Sequence, residues 1–158
     1  MFRELKRKNK QVSNEECIRL LKSEMRGVLC VLGDDEYPYG SPMNFWYNDE
    51  DGCLYFHSAR VGHRPDALKK HSKVSFCIYD QGYREEGDWA LNITSVIVFG
   101  KMELITDVDT VVSICTRMSH KYTQDDAFIN SEIQKFSRGT LLMKLVPEHI
   151  CGKKVREA

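Results

Sequence analysis

The residues best able to do chemistry are concentrated in one short run, His57-Ser58-Ala59-Arg60-Val61-Gly62-His63-Arg64. His57 and Ser58 offer side-chain hydrogen bonds where the apolar segment Cys53-Leu54-Tyr55-Phe56-His57 ends. Ala59 is small enough to let a ligand approach the backbone. Gly62 frees the turn ahead of a helix whose first turn suits Pro65. His63 and Arg64 then set cationic groups at that helix's N-terminus, where unpaired N–H groups already favour an anion. Arg64 adds a planar fork that matches phosphate oxygens. Residue types alone leave two readings open: a phosphate-type anion site at a strand-to-helix junction, or a polar loop that caps a helix.

Other constellations carry less. Asp80, Glu85, Glu86 and Asp88 lie in a loop with Gly82 and Gly87 and read as solvated acids rather than an acid/base pair. His71 and His120 read as surface residues, with His120-Lys121-Tyr122 a candidate border for a substrate mouth. Hydrolysis has no support, because no Ser-His-Asp arrangement or nucleophile elbow occurs. The dinucleotide pattern G-x-G-x-x-G is missing too, so any nicotinamide would bind transiently and outside a Rossmann site. Cys17, Cys30, Cys53, Cys77, Cys115 and Cys151 form no C-x-x-C pair, and neither they nor the 5 His cluster at ligand spacing. The cysteines read as reduced, buried small hydrophobes, with no metal expected, in a cytoplasmic protein.

Composition narrows the function classes. The 23 Lys and Arg cancel the 23 Asp and Glu, which argues against a general nucleic-acid binder. Hydrophobic residues make up 42% and charged residues 29%, as in an ordinary globular domain. No apolar run approaches the ~20 residues a membrane span requires. The basic segment Met1 to Lys10 has no apolar stretch after it, so it does not read as a signal peptide.

The elements that would position these residues follow from pattern. Ser13-Asn14-Glu15-Glu16 fits a capping box ahead of a helix with Cys17, Ile18, Leu20, Leu21 and Met25 on one face and Gly27 as its stop. Val28 to Leu32, Ser41 to Tyr47 and Cys53 to His57 read as three strands of an antiparallel meander. A helix over 65–70, a strand over 74–79 and a long strand over 91–105 come next. Thr106-Asp107-Val108-Asp109 then caps a helix striped by Val108, Val111, Val112, Cys115 and Met118. A further helix over 125–136 ends near Gly139, and Leu141 to Val146 closes the sheet. The expected fold is α+β and mainly β: one domain over 1–158, an antiparallel split β-barrel of about six strands with three or four flanking helices.

Tyr55-Phe56-His57-Ser58-Ala59-x-x-Gly62-His63-Arg64, followed by Lys73-Val74-Ser75-Phe76, resembles the flavin-binding split-barrel family. That family includes pyridoxamine 5′-phosphate oxidase and the 5-nitroimidazole-resistance (Nim-type) reductases. Tyr37-Pro38-Tyr39-Gly40-Ser41-Pro42-Met43-Asn44, Ser95-Val96-Ile97-Val98-Phe99-Gly100-Lys101 and the opening Met1-Phe2-Arg3-Glu4 are similar to the Nim-type branch. The resemblance implies FMN, with FAD as the other candidate. The Met43-Asn44-Phe45 backbone would lie along the flavin ring, His57, Ser58 and Ala59 along the ribityl chain, and Gly62, His63 and Arg64 at the phosphate. It implies a homodimer with flavin at the subunit interface, and Trp89, Thr94 and Ser95 as contacts from the partner chain. The function it implies is an FMN-dependent oxidoreductase, with NAD(P)H as transient donor and a small electron-poor acceptor such as a nitro-heterocycle. Because the flavin carries the electrons, no catalytic side chain is assigned. The alternatives are a pyridoxamine or pyridoxine phosphate oxidase and a non-catalytic flavin- or haem-binding protein. Two departures stand out: His63 replaces the lysine common in relatives, and Tyr37 and Tyr39 stand where some Nim-type proteins carry a histidine.

Overall fold

The computed structural model describes residues 1–157. Seven strands form one antiparallel sheet: β1 (Arg26–Leu32), β2 (Pro38–Asn44), β3 (Trp46–Asn48), β4 (Cys53–Ala59), β5 (Lys73–Tyr79), β6 (Leu91–Ile105) and β7 (Thr140–Glu157). Their order is β2-β1-β5-β6-β7-β4-β3. The four helices are α1 (Asn14–Ser23), α2 (His63–Lys70), α3 (Val108–Ser119) and α4 (Asp126–Phe136). This is the mainly β split barrel that the residue pattern implies, with one strand more than expected.

The extra strand arises at Phe45. β2 and β3 are separated by that residue alone, yet they lie at opposite edges of the sheet. The sheet therefore curls on itself, and the chain crosses the seam at Phe45. Its ring is fully buried, 4.8 Å from Phe76 and 6.4 Å from Phe56 between centroids. The segment read as one strand over Ser41 to Tyr47 is thus two strands, because closure breaks the ladder in its middle.

Alternation along the central strands separates inside from outside. Leu29, Val31, Val74, Phe76, Ile78, Val96 and Val98 point into the barrel core. A second cluster lies on the other face of β4 and β7, where Cys53, Tyr55 and Leu142 pack under Val111 and Cys115 of α3. α1 starts as expected, with Ser13 Oγ accepting from the Glu16 N–H at 3.1 Å. It stops at Ser23, leaving Met25 outside the helix and exposed. Gly27 is no helix stop: it sits in β1, where a β-carbon would fall 2.4 Å from the Phe76 ring.

Other boundaries shift for local reasons. β4 runs to Ala59, which places His57 and Ser58 inside a strand paired with Leu142 and Leu141. α2 starts at His63, two residues ahead of Pro65. β7 runs through Pro147 to Glu157 instead of ending at Val146, because a register shift at Phe99/Gly100 sets Pro147 opposite Gly100 and lets pairing resume. Val108 is exposed and Val112 only half-buried, so the α3 stripe narrows to Val111, Cys115 and Met118. Among the described residues no helix is long and apolar enough to cross a membrane. All six cysteines are free.

Candidate functional site

A cleft of about 920 Å³ opens between the end of β4 and start of α2 on one side and the α3–α4 pair on the other. Its polar wall is built around Arg64. The guanidinium donates through Nη1 to Ser41 Oγ at 2.9 Å and through Nη2 to Ser58 Oγ at 3.1 Å. Two strands, β2 and β4, thus aim one fork. Arg64 Nε is buried and has no hydrogen-bond partner. Burial pulls the guanidinium pKa below its ordinary value, yet arginine remains charged in proteins. A half-buried cation with a buried, unused donor favours an acceptor oxygen from outside the chain.

The helix start beside it has the same demand. Gly62 is the N-cap of α2 and supplies no side-chain cap, so the first N–H groups of the helix face the cleft unpaired by such a cap. Its φ is +126°, a region where side chains are strained, and a β-carbon there would meet nothing within 4 Å. His57 lines the same wall. Desolvation at the cleft wall, and then the Arg64 charge, hold its pKa below the usual imidazole value, which favours the uncharged ring.

His63 also lines the cleft, but its Nε2 is engaged elsewhere, accepting from the Asp34 N–H at 3.3 Å. The ring lies 4.3 Å from that of Tyr39. Asp34 Oδ2 also lies 3.7 Å from this nitrogen. His63 thus braces the β1–β2 turn, and its Nε2 is occupied there rather than beside Arg64.

The opposite wall is apolar. Val111, Met118, Phe128, Ile129, Ile133 and Phe136 line it. Cys115 lies among them, its thiol pushed up to about 11 by burial, so it is a protonated, inert group. Lys135 and Glu132 are at this side and lie 3.5 Å apart as an ion pair.

Tyr122, in the link between α3 and α4, joins the two walls. Its hydroxyl accepts from the Phe45 N–H at 2.8 Å and lies 2.7 Å from Phe45 O and 2.8 Å from Met25 O. Burial pushes this phenol above its ordinary value. Next to it, Lys121 Nζ lies 2.6 Å from Glu24 O, 3.4 Å from Leu21 O and 3.9 Å above the Phe45 ring centroid. Burial lowers its pKa to about 8, against the opposing pull of Glu24.

The structure therefore brings together Asn44, His57, Ser58, Ala59, Gly62, His63 and Arg64 as cleft lining. The Met43 side chain is turned into the barrel core, and both Phe45 backbone groups are engaged by Tyr122. Trp89, Thr94 and Ser95 are not among the residues lining this chain's cleft. Thr94 is buried, and its N–H donates to Asp80 Oδ1 while its carbonyl accepts from the Asp80 N–H. Trp89 is 72% exposed on a loop tied down by the Asp88–Arg156 ion pair at 2.7 Å. The acidic loop is thus partly structural: Asp80 and Asp88 hold backbone amides, with the Ala90 N–H and then Arg156 keeping the Asp88 carboxyl low. Of the candidate substrate-mouth border His120-Lys121-Tyr122, only Tyr122 lines this cleft, and Ser41 is a member that sequence reasoning did not assign. Ser41 lies within the second-strand motif, but its tie to Arg64 spans 23 positions.

The curled antiparallel barrel and its cationic strand-to-helix cradle can now be set beside known proteins. The profile of the pyridoxamine 5′-phosphate oxidase family matches residues 13–154, and the chain belongs to that family. Solved structures repeat the fold. A candidate 5-nitroimidazole antibiotic resistance protein of Bacteroides thetaiotaomicron superposes with a TM-score of 0.81 at 19% identity, over 93% of this chain and 87% of the other. An FAD-binding protein of Mesorhizobium loti gives 0.66 at 20% identity, over 92% and 96%. An FAD and heme binding protein of Mycobacterium smegmatis gives 0.73 at 18%, over 91% and 72%. No curated protein sequence matches the chain.

Proposed function

We propose that the chain is an FMN-dependent oxidoreductase that passes electrons from NAD(P)H to a small, uncharged, electron-poor acceptor of the nitro-heterocycle type. The observation that carries this reading is Arg64: a half-buried fork held by two serine hydroxyls, with a buried, unsatisfied Nε beside an uncapped helix start. Arg64, Ser58, Gly62 and the first amides of α2 would hold the phosphate. His57 and Ala59 would border the ribityl chain, and Asn44 the ring. The flavin supplies the electron-transfer chemistry when bound. The chain's residues bind, orient and exclude water, and the apolar α3–α4 wall suits a neutral ring better than a charged substrate.

Pyridoxamine or pyridoxine phosphate oxidation is less well supported. A second phosphate needs a second free cation, and Lys135, the lysine on the cleft lining, is paired with Glu132. FAD is the better-supported second cofactor, since about 920 Å³ lies near the top of the ~300–1,000 Å³ range for ligand sites. We further propose a homodimer in which Trp89 reaches the partner's cleft. Val28, Cys77, Ile97 and Cys151 form a register-linked row of half-buried side chains on the outer face, a surface suited to a second copy.

The absorbance spectrum of the purified protein after reconstitution, with mass identification of any released chromophore, tests the cofactor. A colourless protein would sink the proposal. Arg64→Ala should weaken FMN binding about 10- to 100-fold, the value of one charge-assisted contact pair. Unchanged affinity would remove the phosphate assignment. Sedimentation at micromolar concentration tests the dimer, and a monomer would remove the Trp89 role.

A further inference from the structure

The seam of the barrel creates a demand that the sheet cannot meet. Between β2 and β3 the chain passes from one edge of the sheet to the other in a single residue, so Phe45 falls outside both strand ladders. It is also fully buried. An amide and a carbonyl at such a place need partners from elsewhere in the chain. Tyr122 Oη lies within hydrogen-bond distance of both.

The hydroxyl has one proton, so it accepts from the Phe45 N–H while donating to the carbonyl of Phe45 or of Met25. Lys121 holds it in place from behind. Its ammonium meets Glu24 O and Leu21 O, carbonyls left free where α1 ends, and covers the Phe45 ring. Several stretches meet at this point: α1 through Leu21, the link from α1 to β1 through Glu24 and Met25, the seam through Phe45, and the link after α3 through Lys121 and Tyr122. The charged groups around it are Glu24, Arg26, Lys22, Asp49, Arg117 and His120. Lys22 is paired with Asp49 at 2.7 Å, Arg117 with Glu50 at 2.9 Å, and His120 lies 3.6 Å from Asp126.

We propose that Tyr122, backed by Lys121, is the positioning residue of the cleft. By taking both backbone groups of Phe45 it fixes where β2 ends, and so presents Asn44 rather than Phe45 to the ring of a bound flavin. This rests on the flavin reading for the identity of the ring, while the latch itself rests on the seam geometry. Tyr122 acts through Phe45 and Asn44, and it leaves the Arg64 cradle untouched.

Two measurements test it. The first needs no cofactor: amide hydrogen exchange in the flavin-free protein. Tyr122→Phe should speed exchange at Phe45 about 10-fold or more, the loss of one buried hydrogen bond, and leave Phe76 and Val98 unchanged. Unchanged exchange at Phe45 overturns the latch. The second compares riboflavin with FMN. Tyr122→Phe should weaken both by the same factor, about 10-fold, keeping their affinity ratio, whereas Arg64→Ala should shrink that ratio. Unaltered riboflavin affinity, or a loss confined to FMN, overturns the positioning role. If Tyr122→Phe does not fold, Lys121→Met decides: faster Phe45 exchange and weaker riboflavin binding support the proposal, and wild-type values for both overturn it. A wild-type protein that binds neither flavin removes the proposed function, and the exchange result then judges the latch alone.

Discussion

On one side of the cleft, Arg64 is held by hydroxyls from two strands and still keeps a buried donor unpaired. On the other, α3 and α4 present Met118, Ile129 and Ile133, which need no partner but each other. The first wall spends stability on a desolvated cation and a glycine at positive φ. The second gains stability from apolar burial. Groups that cost free energy unless a ligand completes them mark where binding takes place, and groups that stabilise by contact alone mark where shape is set. Trp46 and Arg117 behave like the second kind: the guanidinium stacks 4.9 Å over the indole and pairs with Glu50 and Asn48 of the same chain.

The largest effect expected lies in the apolar wall. Ile129 is 2% exposed, and Ile129→Asp should cost about 3–4 kcal/mol of unfolding free energy in urea titration. A loss under about 1 kcal/mol would mean that α4 is loosely held and the contrast is wrong.

Lys121 sharpens the comparison, being the polar root of that wall. In the folded chain it loses its proton near pH 8, while an unfolded lysine keeps it to about 10.4. Between those values the unfolded state binds more protons, so stability rises with pH through this residue, by about 2 kcal/mol from pH 7 to 10. The cost of the buried charge is fully present below pH 8 and is relieved above it. Lys121→Met should remove this part of the slope, and parallel stability–pH curves for the two proteins would refute the account.

Smaller effects belong to the cradle. Gly62→Ala should cost about 1–2 kcal/mol from the strained φ alone, since its β-carbon meets no atom. A neutral outcome in thermal unfolding would show that the α2 start relaxes freely. Smallest of all, Phe128→Ser should change stability by about 0.5 kcal/mol or less, because that ring is 56% exposed at the cleft rim. A large loss there would make the rim part of the core.

The two walls were unequally legible in the sequence. His57 to Arg64 is contiguous, and a strand followed at once by a glycine, a proline and basic residues carries its own geometry. Ser41 was quoted within a motif, yet its link to Arg64 depends on β2 and β4 being brought together by closure. Tyr122 was harder still. Its partner lies 77 positions away, and the demand it meets exists only because the sheet closes at Phe45. The long strand over Leu91–Ile105 was read correctly from its apolar run. β7 was cut short at Pro147, because a proline there argues against a paired strand unless a register shift admits it.

Ile105 pairs with Leu142, so the chain leaves the sheet at the end of β6 and returns almost to the same point at the start of β7. Everything over 106–139, α3 and α4 included, is topologically the loop of one long hairpin. Loop length carries a weak entropic cost, about 0.6 kcal/mol per doubling. This wall of the cleft is therefore a cassette: it can be lengthened, trimmed or exchanged without redrawing a strand of the barrel, provided that a hydroxyl returns to the seam at Phe45. The cradle, built from three elements of the barrel and its flank, β2, β4 and α2, allows no such exchange.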